Sequence, residues 1–185
     1  MRVRNRLRKF LAVAGLAALL TSAGCGYTTR PALPPHLKTI YVSPFVNKID
    51  FARLPSNDDR FPAYRHAMEV SLTNAVIERY QFTGLLRPTT RERANARLDG
   101  ELIEFRRDAL RYNASQQVEE WRLSIVVNLR FVDQTADILM WEEQGFTGDT
   151  TYFALGPNAE SESAALDRAV TDLARRIVEK TVEDW

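Results

Sequence analysis

A run of alternating residues near the middle of the chain constrains the fold more than any other feature. From Trp121 to Phe131 every odd-numbered position is a large apolar residue, whereas the even-numbered positions are mostly polar or charged. A period of two residues is typical of a β-strand with one buried face and one solvated face. The pattern therefore predicts a strand whose apolar side must be covered by other elements.

The segments on both sides of this run predict neighbouring strands. Residues 98–102 alternate in the same way, and the phase then shifts to Ile103 and Phe105, which predicts one extra residue in a β-bulge. Residues 138–146 have strand composition and follow a turn-like polar stretch. Together these segments predict consecutive antiparallel strands within residues 96–153.

Two shorter strands are predicted earlier in the chain. Residues 38–45 form the first, and Pro44 marks either its end or an edge of the sheet, because proline cannot donate a hydrogen bond to a strand ladder. Residues 46–60 are predicted to be a long polar connection, a length that is often functional or mobile. Leu85 and Leu86 begin a second short strand.

Two amphipathic helices are predicted, one before and one after the central strands. The first would begin near Pro62, carry apolar residues every three to four positions, and end at Gly84. The second would be capped by Asn158 or Ser161 and continue an apolar stripe to the end of the chain. Two such helices and a sheet with one apolar face can bury each other's apolar surfaces.

The predicted fold class is therefore α+β. We expect a two-layer sandwich in which a mixed, mostly antiparallel sheet of four to five strands carries two helices packed on one face. The order of elements would be β-α-β-β-β-β-α. Residues 38–185 would form this single domain, which suits the roughly 160 residues that follow the N-terminal segment.

Residues 1–24 have the organisation of a secretory signal peptide. They hold five basic and no acidic side chains, an apolar run at residues 10–20, and small residues before Cys25. The apolar run is shorter than the roughly 20 residues that a membrane-spanning helix needs. Because Cys25 is the only cysteine, it has no internal disulfide partner. It is either acylated as the first residue of a bacterial lipoprotein or left as a free thiol after ordinary cleavage.

Residues 25–37 would then be a lipidated tether. Three prolines in this segment favour an extended chain between the anchor and the domain. Several acyl chains on one residue hold a protein firmly at a membrane. Gly26 follows the cysteine, and in the lipoproteins that this start resembles, that implies sorting to the outer membrane.

The charge balance argues against nucleic acid as a partner. Without the five basic residues of the signal segment, 20 basic residues remain against 24 acidic ones, a net charge of −4. A mildly acidic domain is a poor candidate for general nucleic-acid binding. Arginines are nevertheless concentrated between residues 87 and 111, where acidic residues interrupt them.

The sequence shows no pattern of residues that points to enzymatic chemistry. His36 and His66 are the only histidines and have no nearby second ligand at metal spacing. No nucleophile elbow, phosphate-cradling glycine loop or dinucleotide fingerprint occurs. We therefore predict that the protein is not an enzyme and requires no metal or cofactor.

Several segments, in their order along the chain, resemble the LptE family of lipopolysaccharide-assembly lipoproteins. The resemblance rests on the start at residues 24–27, the proline tether at 33–35, the strand at 38–47, and parts of the first helix. It extends to residues 98–102 and 139–141 of the central strands. It implies a lipid-anchored plug of the outer-membrane β-barrel LptD, facing the periplasm, that helps to insert lipopolysaccharide into the outer membrane.

Exposed arginines would bind the phosphates of lipopolysaccharide through bidentate hydrogen bonds. The candidates are Arg106, Arg107 and Arg111 on one strand and Arg122 and Arg130 on the polar face of the next. The alternative is that these residues are solvated charges on a sheet face. At the level of function, the alternative is an outer-membrane lipoprotein that activates a periplasmic cell-wall synthase or belongs to another secretion assembly.

Overall fold

The computed structural model describes residues 33–50 and 67–183. The signal peptide, Cys25, the tether before Leu33, Pro62, His66 and most of the predicted 46–60 connection lie outside these residues. The described elements follow in this order: β1 Thr39–Val42, β2 Val46–Asn47, α1 Met68–Thr83, β3 Arg87–Pro88, a 3-10 turn Arg91–Arg93, β4 Ala96–Tyr112, β5 Val118–Asp133, β6 Ile138–Phe153 and α2 Glu162–Glu183.

The three long strands β4, β5 and β6 form the antiparallel meander that the alternation predicts. The predicted bulge is confirmed, because the pairing of β4 with β5 shifts between Leu102 and Glu104 and leaves Ile103 as the extra residue. A second shift lies between Ala109 and Arg111. Each bulge re-aims the residues that follow it, so the face on which a β4 side chain lies depends on its position relative to the bulges.

The sheet has six strands, one more than the upper predicted number. The predicted first strand contains β1, which pairs with β3 and β4, whereas the additional strand β2 lies beyond it and pairs with β4. The second short strand, predicted to begin at Leu85, is β3 and begins at Arg87. All three short strands run parallel to their partners, so the sheet is mixed. The prediction that the polar connection begins at Val46 is therefore wrong for the first two residues.

The break between β1 and β2 has a local cause. Pro44 cannot donate to the ladder, and the next amide, that of Phe45, donates to Thr73 Oγ1 of α1 at 3.0 Å. The Phe45 ring then packs onto Gly100 of β4, where an added Cβ would overlap the ring. The chain thus leaves the sheet to bind the helix and returns two residues later.

Both helices pack on one face of the sheet and share one apolar core. Helix α1 ends as predicted at Gly84, which adopts φ 65° and donates to the carbonyl oxygen of Tyr80. Helix α2 begins after Ser161, whose hydroxyl accepts a hydrogen bond from the Ala164 amide. The two-layer α+β class is confirmed.

A buried hydrogen bond joins the two helices. The Tyr80 hydroxyl and Thr181 Oγ1 lie 2.8 Å apart, and both side chains are fully buried. Burial raises the pKa of Tyr80, and the hydrogen bond to Thr181 lowers it by a smaller amount.

Neither described helix combines the length and the apolar character that a membrane-spanning helix requires.

Candidate functional site

The candidate arginines lie on the three long strands, and strand register decides which face each one occupies. Leu123, Ile125 and Leu129 of β5 are fully buried in the core, so this side of the sheet faces the helices. The intervening positions of β5, including Arg122 and Arg130, lie on the opposite side. We call that side of β4, β5 and β6 the outer face.

Arg106 lies on the outer face opposite Ser124. Its guanidinium donates to Asp108 at 2.8 Å and to Glu104 at 3.0 Å. The hydrogen bond to Asp108 is the main cause that raises the pKa of Arg106. The two carboxylates of its own strand therefore occupy much of the hydrogen-bonding capacity that a phosphate would need.

Arg107 lies on the helix side of the sheet, away from the other four candidates. It pairs with Leu123, its guanidinium donates to Glu162 at the start of α2 at 2.6 Å, and it stacks over the Trp121 ring at 4.2 Å. Only 20% of its side chain is exposed. These contacts fasten the β4–β5 hairpin to the first turn of α2, which is a structural role.

Arg111 and Arg122 occupy neighbouring rows of the outer face close to the β4–β5 turn. The Arg111 side chain is 56% exposed, lies 3.2 Å from Glu120, and stacks over Phe153 at 5.5 Å. Arg122 is exposed, and among the residues that the structure describes it has no carboxylate within 4.0 Å. Exposed Tyr112 adjoins this hairpin end of the sheet.

Arg130 lies at the other end of the outer face. It is 55% exposed and lies 3.5 Å from Glu142 of β6. Its row contains Asp99 of β4, which accepts hydrogen bonds from Arg97 and Ser43. Arg130 lies eight positions from Arg122 along β5, or about 27 Å along the strand.

Carboxylates outnumber arginines on the outer face. The arginines there are Arg97, Arg106, Arg111, Arg122 and Arg130. The carboxylates are Asp99, Glu101, Glu104, Asp108, Glu120, Glu142 and Asp149. The outer face as a whole is therefore not a cationic surface. A phosphate would find the least competition at the hairpin end, where Arg122 is unpaired among the described residues and the Arg111 side chain is 56% exposed.

The described residues contain no group of three or more histidine, cysteine, aspartate or glutamate side chains able to hold a metal ion. His36 instead binds Asp133, with its Nε2 atom 2.5 Å from Asp133 Oδ2. Burial raises the pKa of Asp133, but the hydrogen bond from His36 and those from the amides of Ala136 and Thr135 outweigh it and lower the pKa overall. Cys25, the predicted acylation site, lies outside the described residues.

A sequence model of the family described as "LptE: Lipopolysaccharide-assembly" matches residues 37–181. This range contains every described strand and all but the end of α2. No curated protein sequence matches the chain.

Solved structures of low sequence identity resemble the fold. The protein XCC0632 from Xanthomonas campestris is 14% identical, with 82% of this chain and 90% of that chain covered at a TM-score of 0.52. The rare lipoprotein B from Shewanella oneidensis is 16% identical, with 76% and 92% covered and a TM-score of 0.43. The first likeness shows a shared fold.

Proposed function

The chain belongs to the LptE family of lipopolysaccharide-assembly proteins, and we propose that it acts as the lipid-anchored plug and assembly partner of the outer-membrane β-barrel LptD. The single observation that carries this proposal is the family match over residues 37–181. The family is a non-enzymatic lipoprotein family, in accord with a protein that works by contact. Nothing in the match favours the cell-wall-synthase alternative.

The proposed anchor is Cys25, acylated after removal of residues 1–24. A lone cysteine behind a signal segment supports this modification, and Gly26 supports retention in the outer membrane with the domain facing the periplasm. Mass spectrometry of the mature N-terminus tests it. We expect an acylated Cys25, and an unmodified thiol at this position would contradict the anchor.

The proposed plug is a rigid body rather than a catalyst. Three long strands and two helices share one core, so the domain can fill a barrel lumen without folding on arrival. Site-specific crosslinking in intact outer membranes tests the partnership. A photo-crosslinker at exposed outer-face positions such as Arg122 and Glu142 should attach to an LptD-type barrel. Attachment to a peptidoglycan synthase instead would support the alternative and contradict the plug.

All five predicted arginines remain candidates for binding lipopolysaccharide phosphates. They differ in exposure and in the contacts that each already makes, and these differences set the order in which we propose them. The Arg111 side chain is 56% exposed, so a phosphate can reach its guanidinium, although its partner Glu120 is only 16% exposed. Arg122 has no described carboxylate to exchange. The contacts of Arg107 are less exposed, so losing them costs more. We propose Arg122 and Arg111 as the principal phosphate contacts, with Arg130 and Arg106 next and Arg107 last.

Binding of purified lipopolysaccharide to paired variants tests this ranking. The double substitution Arg111→Gln and Arg122→Gln should weaken binding about tenfold at low salt, because tenfold is about 1.4 kcal/mol and each exposed charge contact contributes roughly 0.7 kcal/mol. The difference should shrink as salt is raised. The matched control is Arg168→Gln with Arg175→Gln, two exposed arginines of α2. Equal affinity of the two double variants would remove the hairpin end as the site.

A further inference from the structure

One end of the sheet gathers features that the proposed lipopolysaccharide contacts do not use. Ile40 of β1 pairs with Ala96 of β4, Ala96 pairs with Asp133 of β5, and Asp133 pairs with Ile138 of β6. These four residues form one row, about 15 Å wide at the usual strand spacing. His36 binds Asp133 in the same row, so the chain enters the domain here. We call this the tether end.

The tether end combines exposed cations with exposed apolar side chains. Ile138 and Leu139, adjacent at the start of β6, are 55% and 46% exposed. The exposed cations are Lys38, Arg87, Arg91 and Arg93. Within residues 33–50 and 67–183, none of these four has a carboxylate within 4.0 Å.

The segments that form the tether end contain fewer exposed carboxylates than exposed cations. Glu92 lies between two of the arginines and Asp137 precedes Ile138, and both are exposed. Asp133 is buried and bound to His36. The tether end therefore carries two more cations than exposed carboxylates, although the chain from Cys25 onward has a net charge of −4. Its positive charge is a local feature of an otherwise acidic protein.

The length of the tether limits how far this end of the domain can lie from the membrane. Seven residues separate Cys25 from Leu33, the first described residue. However they are arranged, eight Cα steps span at most about 30 Å. An acylated Cys25 therefore keeps Leu33 within that distance of the bilayer, and His36, three residues further along the chain, binds Asp133 at the tether end. Apolar side chains flanked by cations are what proteins use to lie at a membrane interface with anionic lipids.

We propose that the tether end is a membrane-binding surface, in which Ile138 and Leu139 enter the interface of an anionic phospholipid bilayer while Lys38, Arg87, Arg91 and Arg93 face its headgroups. This proposal rests on the acylation of Cys25 put forward above. It does not depend on the identity of the barrel or on the arginines of the hairpin end. It assigns the domain a second membrane contact beside the anchor, and therefore a defined orientation.

Fluorescence depth measurement on the full-length processed lipoprotein tests the proposal. Because Cys25 is consumed by acylation, Ile138→Cys introduces a single thiol for an environment-sensitive fluorophore. Tyr112→Cys, 56% exposed at the hairpin end, is the matched position far from the tether. In phosphatidylethanolamine vesicles containing phosphatidylglycerol, a lipid-borne spin label should quench the fluorophore at 138 at least about twofold more than that at 112, as expected for interfacial burial.

Charge variants test the role of the cations. With the label at 138, Arg91→Gln and Arg93→Gln together should reduce the quenching, and so should replacement of phosphatidylglycerol by phosphatidylcholine. The control pair is Arg168→Gln with Arg175→Gln on α2, which should leave quenching unchanged. Equal quenching of the control pair and the Arg91/Arg93 pair would overturn the role of these cations.

Two failures remain distinguishable. If the vesicle-bound lipoprotein shows position 138 no more quenched than position 112, the membrane-binding surface is refuted while the anchor stands. If the unsubstituted chain does not associate with vesicles at all, the anchor is refuted and the surface argument falls with it. A protein that occupies the tether end in place of lipid would give the first of these results.

Discussion

A close approach between the sheet and helix α2 gives a direct test of how the two layers pack. Gly148 of β6 faces Leu173 of α2, and a Cβ added at Gly148 would lie 2.7 Å from Leu173 Cβ and 3.0 Å from its Cδ1. Leu173 is fully buried. The Cβ atom of Leu173 is fixed to the helix backbone, so rotation of the side chain cannot relieve the contact, and α2 must move away from the sheet.

The size of the effect follows from two opposing contributions. Adding a methyl group to a well-packed core costs about 1–3 kcal/mol. Replacing glycine by alanine within a strand recovers roughly 0.5–1 kcal/mol of backbone entropy. Gly148→Ala should therefore lower the free energy of unfolding by about 1–2 kcal/mol. For a domain of this size that corresponds to a fall in Tm of about 2–8 °C.

Urea unfolding, followed by tryptophan fluorescence and circular dichroism, measures the change. Leu173→Ala alone should cost about 2–5 kcal/mol as a buried truncation. The double variant should cost nearly the sum, because alanine at 173 retains the Cβ that lies 2.7 Å from the added methyl group and removes only the contacts with Cγ and Cδ1. Asp149→Ala, on the outer face beside Gly148, should change stability by less than about 0.5 kcal/mol. Unchanged stability of Gly148→Ala would refute the close packing of α2 on β6.

Three further predictions concern a buried carboxylate, an arginine and a strained backbone position. The pKa of Asp133 is lowered in the folded state, so its ionised carboxylate contributes to stability above about pH 4, and this contribution is lost as the pH falls further. Asp133→Asn should therefore make the free energy of unfolding, measured with urea, depend less on pH on the acid side. Arg107→Gln should lower the free energy of unfolding by about 1 kcal/mol, whereas Arg130→Gln, an exposed pair, should change it by less than about 0.5 kcal/mol; equal effects would contradict the structural role of Arg107. Ala67 adopts φ 68°, a left-handed conformation whose strain costs about 1–2 kcal/mol. Glycine at this position relieves that strain but adds conformational entropy to the unfolded chain, which costs roughly 0.5–1 kcal/mol. Ala67→Gly should therefore raise Tm, and a lower Tm would contradict the left-handed conformation of Ala67.

The sequence predicts the long elements because each repeats its pattern often enough to define a period. The alternation of β5 extends over many residues, and its predicted buried positions from Leu123 to Phe131 are fully buried. The helix ends follow from local chemistry at Gly84 and Ser161. Strands β2 and β3 have two residues each, which is too short for any period to appear. Their existence depends on distant partners, Glu101–Leu102 and Thr39–Ile40.

The side of the sheet on which Arg107 lies can be predicted from the alternation of residues in β4, but not from its closeness in sequence to other arginines. Grouping it with Arg106 and Arg111 treats nearby residues as one cluster. The bulge at Ile103, however, places Phe105 and every second residue as far as Ala109 on the core side, and Arg107 follows that phase. The ion-pair partner of Arg107 cannot be predicted from the sequence. Glu162 is 55 residues away and reaches Arg107 only through the packing of α2.

The length of the hairpin links the two proposed surfaces. Strand β4 has 17 residues, which span about 55 Å along the strand and still project about 40 Å onto the membrane normal at a tilt of 45°. The hydrocarbon core of a bilayer is about 30 Å thick. If the tether end rests at the periplasmic surface, the hairpin end of a plug inside the barrel lies at the level of the outer leaflet. Arg111 and Arg122 then stand where lipopolysaccharide phosphates arrive, whereas Arg130, about 27 Å back along β5, does not.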